Sequence, residues 1–299
     1  MVLTEIHCPE CDGSDVKPHT HYTLQSGEKR QQYYCPKCQC YFSETYGTAL
    51  AGLRTPLSRI QQILDALNDG MGLNATCRTF HVSKNTITLW HERLGPVKEA
   101  LRLYALCHQF VQQIIEGDEL YTKVNTNRPA ADSTGWTIVL MDRASRFLWE
   151  LKCGKRDQAL FKQAMRTLAD IIKQTDDLML FTDGERRYGT LLFEICSTVI
   201  RTGKRGRPRH TLPKGVQVRL KNKGSQAHQR GPKRSKYETP QPEHPDTSAT
   251  IRETEIHANH LEGFNAALRR RMACYRRKAN TYAKKLSTPM SIGRTLALA

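Results

Sequence analysis

The sequence predicts an α/β protein preceded by two small modules, one built on paired cysteines and one helical, and three patterns predict it. Between residues 112 and 200, apolar runs of strand length alternate with a 3.6-residue helical period. Two Cys-x-x-Cys pairs stand near the N-terminus, and helical patterns fill residues 56–95. Two of the strand-like runs carry an acid, Asp118 inside one and Asp183 at the end of another.

The composition narrows the class of partner. Lys and Arg number 46 against 29 Asp and Glu, a formal charge of +17 over 299 residues. Such an excess concentrates polyanions around the molecule, with nucleic acid the first candidate. A membrane surface is the second, but no amphipathic helix sets this charge beside Trp and Phe. No run of about 18 apolar residues offers a membrane span. The opening MVLTEIHCPECD lacks the charged-then-apolar form of a secretory signal. Ten cysteines, four of them in two paired motifs, fit a reducing compartment with one metal site better than a disulfide framework. The expectation is a cytoplasmic, nucleoid-associated protein.

Residues 1–48 are expected to form a zinc ribbon. Cys8 and Cys11 form one pair, Cys35 and Cys38 the second, with 23 residues between them. Each turn aims two thiolates at one ion, so two turns complete a closed tetrahedral zinc site. Cys40 is the alternative to Cys38. No βαβ pattern surrounds either pair, which disfavours a redox dithiol. A closed site of this kind is structural.

Residues 49–105 are expected to hold a helix-turn-helix. Leu73, Cys77 and Phe80 share one helical face, His81-Val82 connects, and Ser83 is a suitable N-cap for a helix with Ile87, Trp90 and Leu94 inward. Lys84, Asn85, Thr88 and His91 are then the exposed positions that reach bases or phosphates.

Residues 106–299 carry the chemistry. A strand over Ile114–Tyr121 is followed by Trp136–Met141 and Phe147–Leu151, a hairpin candidate turning at 142–145. From Asp157 to Thr175 the apolar period becomes helical, and Leu178–Thr182 is a buried strand ending at Asp183-Gly184. Three strands, a helix and a strand open a ribonuclease H-like fold. In that fold the first strand is central and the fourth lies beside it and parallel, which makes Asp118 and Asp183 neighbours. Carboxylates so placed can hold magnesium or manganese. The third acid is expected to be Glu262, in HLEGFNAALRRR, where Leu261, Phe264, Leu268 and Met272 face the core and Glu262, Asn265 and Arg269 lie along the flank. Glu253 and Glu255 are weaker choices.

The order of paired cysteines, helix-turn-helix and acids resembles the insertion-sequence-one family of transposases (the InsA–InsB type). The resemblance rests on the two cysteine pairs and on Asp-Glu-Leu at Asp118. It rests also on Thr182-Asp183-Gly184, on Glu262, Asn265, Leu268 and Arg269, and on the basic tail with its Lys-Lys-Leu-Ser stretch. It implies a metal-dependent enzyme with Asp118, Asp183 and Glu262 as the acidic triad. It also implies double-stranded DNA as partner, with cutting and joining at terminal inverted repeats by at least a dimer. The chain departs from the family in the long Asp183–Glu262 spacing, where residues 201–250 read as an insertion. Arg201 to Tyr237 holds 13 Lys and Arg and no acid. Within it KRGRPR, with Arg205 and Arg207, resembles an AT-hook for the minor groove. Either Thr198–Ile200 or Gly215–Leu220 could supply a fifth strand. Two other functions share these features: a non-catalytic DNA-binding regulator derived from a transposase, and a nuclease that only hydrolyses.

Overall fold

The computed structural model describes residues 6–97, 100–101, 113–126, 129–175, 177–201, 206–223, 234–247, 251–276, 282–285, 287 and 289–290. The chain divides into two compact units, residues 1–97 and 98–298. No helix among the described residues is long and apolar enough to cross a membrane.

The first unit opens with an antiparallel meander of β1 (Lys17–Thr23), β2 (Lys29–Cys35) and β3 (Cys40–Ser43). The β1–β2 turn closes through Gly27 N–H to the Leu24 carbonyl at 2.9 Å, with Gly27 at φ +84°, a conformation glycine adopts without strain. Arg30 is fully buried, yet its guanidinium donates to the Leu53 and Thr55 carbonyls at 2.7 and 2.8 Å. Its charge thus ties the sheet to the segment that leads into the helices.

Those helices are α1 (Leu57–Asn68), α2 (Leu73–Phe80) and α3 (Lys84–Leu94). Ile60, Ile63, Ile87 and Trp90 make their buried centre, and Leu73, Cys77, Phe80 and Val82 pack against it. His81, at φ 50°, ends α2 in the left-handed region. Ser83 then caps α3, its Oγ accepting the Thr86 N–H at 3.1 Å.

The second unit is a mixed α/β structure on a six-stranded sheet. Its elements are β4 (Gln113–Tyr121), β5 (Trp136–Asp142), β6 (Leu148–Gly154), α4 (Gln158–Ile172), β7 (Leu178–Asp183) and α5 (Arg187–Cys196). There follow β8 (Thr198–Ile200), β9 (Arg209–Thr211), β10 (Val216–Lys221), β11 (Tyr237–Glu238) and α6 (Asn259–Arg271). The strand order is β11-β10-β7-β4-β5-β6. β4, β7 and β10 run parallel, and the outer strands are antiparallel to their neighbours. Both faces of the sheet are covered. Leu160, Phe161, Met165 and Leu168 of α4 and Tyr188, Leu191 and Leu192 of α5 pack on one side. Leu261 and Leu268 of α6 pack on the other, with Val139, Met141, Leu148 and Tyr275. Full burial of one such large apolar side chain stabilises by roughly 1.5–3 kcal/mol, so the stripes on α4 and α6 set their docking faces.

The fifth strand is β10, not the 198–200 segment, which pairs only with β9. Val216, Val218 and Leu220 are buried, and the first two pack into the core with the helices on one face of the sheet. The region read as a basic insertion therefore contributes a core strand, because its period-2 apolar positions satisfy a sheet face despite the flanking cations.

Candidate metal centres

Four thiols of the first unit converge. Cys8, Cys11, Cys35 and Cys38 place their sulfurs within 4.8 Å of one another. Individual separations are 3.6 Å for Cys8–Cys38, 3.7 Å for Cys11–Cys35 and 3.7 Å for Cys35–Cys38. A tetrahedron with Zn–S near 2.3 Å has sulfur–sulfur edges of about 3.8 Å, so the cluster can hold a metal such as zinc. Burial would raise the Cys8 thiol, but the Glu10 and Cys11 backbone N–H groups and the neighbouring thiols bring it down to about 6. Cys40 lies 3.6 Å from Cys8, a fifth sulfur beside the set rather than a replacement for Cys38.

The carboxylate site sits where β4 and β7 run side by side. Gly117 pairs with Thr182 in the parallel register, and Asp183 pairs with Lys221 on the other side. Strand alternation sends Glu116 and Asp118 to the α6 face and Gly117 and Glu119 to the α5 face. Contacts agree: Asn265 of α6 donates to Asp118 at 2.8 Å, and the Tyr188 hydroxyl of α5 donates to Glu119 at 3.3 Å. A side chain at Gly117 would meet Leu140 at 3.2 Å and Thr182 at 3.3 Å, which leaves room for little beyond glycine between the two acids.

Two of the three expected acids, Asp183 and Glu262, meet one cation that the sequence did not mark, and Asp118 feels the charge of Asp183 nearby. Lys223, just past β10, sets its Nζ 2.5 Å from Asp183 Oδ2 and 3.4 Å from Glu262 Oε1. Burial works against this ammonium, but the two carboxylates outweigh it and raise its pKa. Asp118 is held above the usual carboxylate range by burial first and by the Asp183 charge, with Lys223 and Asn265 acting against both. Asn265 is buried, and its Oδ1 has no hydrogen-bond partner among the described residues. The carboxylate oxygens are the donors a hard divalent cation takes, and the Lys223 ammonium marks a cation position between two of them. Asp183 and Glu262 offer such oxygens, but Asp118, Asp183 and Glu262 are not among the described groups whose ligand atoms all lie within 4.8 Å of one another.

A second support holds the helix that carries Glu262. Glu116, with no side-chain exposure, accepts from Arg143 Nε at 2.7 Å, from the Leu261 N–H at 2.8 Å and lies 3.0 Å from His260 Nδ1. Arg143 also donates to the Glu255 carbonyl at 2.9 Å and to the His257 carbonyl, and it stacks on Phe181. Glu116, His257 and His260 bring ligand atoms within 4.8 Å of one another. With an arginine already on the same Glu116 oxygen, this trio acts as a hydrogen-bonded clamp on the start of α6. Glu116 was not singled out from the sequence, where its one signal is its position two residues before Asp118, on the same strand face.

The expected DNA-contacting residues divide. Lys84, Asn85 and Arg207 are exposed. Thr88 is half-buried, and its hydroxyl donates to the Lys84 carbonyl at 3.0 Å. Arg269 is half-buried on α6, and Arg205 lies outside the described residues. His91 is a correction: it is 5% exposed, packed in the helical core, and burial lowers its pKa to about 4. Positions 87, 90, 91 and 94 form one inward stripe, so His91 belongs with Ile87 and Trp90. Glu253 and Glu255 are exposed and precede α6. No family model matches the sequence, and no curated protein matches it.

Proposed function

We propose that the chain is a metal-dependent DNA transposase of the acidic-triad class, with Asp118, Asp183 and Glu262 as its metal-holding carboxylates. The observation that carries the reading is that Lys223 reaches both Asp183 and Glu262 while Asn265, on the same helix as Glu262, holds Asp118, which feels the Asp183 charge. The strand order, with β4 central, β7 and β10 parallel beside it and β5 and β6 beyond, supports a ribonuclease H-like assignment. The four-thiol cluster on a three-stranded meander supports a zinc ribbon, and the capped α2–α3 pair supports a helix-turn-helix.

Each protein group has a stated task in this reading. Asn265 fixes the Asp118 carboxylate from α6, and the Glu119 N–H holds its other oxygen at 2.8 Å. Asp183 ends its strand, so its carboxylate leaves the sheet toward Asp118. The Glu116–Arg143 clamp sets the first turn of α6 and hence the height of Glu262. Magnesium or manganese bound by the triad would activate the attacking oxygen and stabilise the leaving oxygen of a phosphodiester. Exposed Lys84 and Asn85 on α3 and the basic 201–237 stretch would take the phosphates and bases of double-stranded DNA. Element ends are the substrate, bound by at least a dimer, in the nucleoid.

The test uses duplexes copied from the DNA flanking the protein's own gene, with magnesium and without. Magnesium-dependent nicking that leaves a 3′-hydroxyl, followed by joining to a second duplex, is expected. Nicking without joining would make the protein a nuclease. Tight binding without any nicking would favour the DNA-binding regulator, for which the Lys223 ion pairs would be purely structural.

A further inference from the structure

We propose that Lys223 is a built-in counter-cation of the carboxylate site, which a divalent ion must displace in order to bind. This rests on the triad reading above and adds a control on that site. The ammonium is within contact distance of both Asp183 and Glu262, at 2.5 and 3.4 Å. An ion bridging those two acids would need the same space, and two cations that close repel. Asp118 adds a third carboxylate, partly buried beside Asp183, so the site without any cation holds excess negative charge.

The local structure lets the ammonium leave while the backbone stays. Asn222, the residue before Lys223, is pinned: its N–H donates to the Lys236 carbonyl at 2.8 Å, and its side chain donates to the Ser235 carbonyl at 2.7 Å and to Glu238 at 2.6 Å. The Lys223 side chain is 54% exposed. Departure therefore needs only rotation of a flexible four-carbon stem into water. The displaced ammonium stays tethered at the rim of the site, where an approaching phosphate would meet it. The fixed strand end and the half-exposed side chain together make an exchangeable cation, unlike Arg143, whose guanidinium is locked by several bonds.

The test is a manganese titration of the full, zinc-loaded chain, followed by electron paramagnetic resonance of free Mn2+. Lys223→Gln removes the charge and keeps much of the length. Its Mn2+ affinity is expected to rise roughly tenfold, the scale of losing two partly exposed ion pairs. Lys223→Arg keeps the charge and should stay close to the parent. Asp183→Asn should lose binding. Equal or weaker Mn2+ affinity in Lys223→Gln, with Asp183→Asn still losing it, overturns the counter-cation and leaves the triad standing. If the parent binds no Mn2+ beyond the Asp183→Asn level, both readings fall together.

Discussion

The two candidate metal centres differ in almost every physical respect. The sulfur site draws four ligands from two short turns, with sulfurs about as far apart as a tetrahedron requires and no open position. The proposed oxygen site takes its three acids from two strands and a distant helix, with Glu262 half exposed and a lysine lodged between Asp183 and Glu262. The first is assembled by local chain geometry and offers four sulfurs, enough to close the coordination of a metal such as zinc. The second is assembled by the fold, needs separate supports in Asn265, Glu116 and Arg143, and keeps one side open to solvent. Closed coordination suits permanent retention, whereas an open, over-charged set suits an ion that must share its sphere with a substrate.

The largest expected effect comes from breaking the closed site. In Cys35→Ser the first unit should lose its metal and the 17–43 meander its protection from hydrogen exchange, because metal affinity in such small modules is folding free energy. The second unit should keep its protection. Full metal retention in this variant would place the ligand elsewhere and remove the sulfur half of the comparison.

A smaller effect tests whether the open site depends on its supports. Arg143→Ala strands the buried Glu116 carboxylate, and loss of one partner of a buried pair costs about 3–5 kcal/mol. The residual Leu261 N–H and His260 contacts put the expectation near the low end. Denaturant unfolding of the zinc-loaded chain should show it in the second unit, with Arg143→Lys recovering part. A cost under about 1 kcal/mol would mean the clamp does not hold α6.

Acidification separates the helices of the first unit from its sulfur site. The His91 imidazole titrates near 6.5 when unfolded and near 4 in place, lowered by burial. Below about 6.5 the unfolded chain takes up the proton first. Stability present above that value should therefore decline down to about pH 4, by at most about 3 kcal/mol. His91→Gln should flatten this segment of the profile for the helices. An unchanged slope would assign the acid sensitivity to another group.

The contrast also explains what could be read from the chain. Cys8, Cys11, Cys35 and Cys38 were legible because a thiolate pair with two residues between its members is a local geometric statement. Asp118 and Asp183 were legible through the strand order, since parallel neighbours bring strand positions together whatever their sequence separation. Glu262 followed from helical periodicity. Lys223 was not: in a stretch of 13 cations without an acid, nothing local marks one lysine as facing carboxylates. The alternation at 215–220 did mark β10 as one of two candidates for the fifth strand, but nothing local chose between it and Thr198–Ile200. His91 was misread because its polarity outweighed its place on the inward stripe, which the spacing from Ile87 already gave.

The most direct test of the account is single-turnover, magnesium-dependent cleavage of end-bearing DNA by Asp118→Asn, Asp183→Asn, Glu262→Gln and one double variant. The three acids act as one charge set, so each single change should remove nearly all cleavage and the double variant should be hardly worse, while DNA binding persists. Cleavage at the parental rate in all three single variants would contradict the triad. Near-normal cleavage by Glu262→Gln alone, with loss in Glu253→Gln or Glu255→Gln, would contradict its third member.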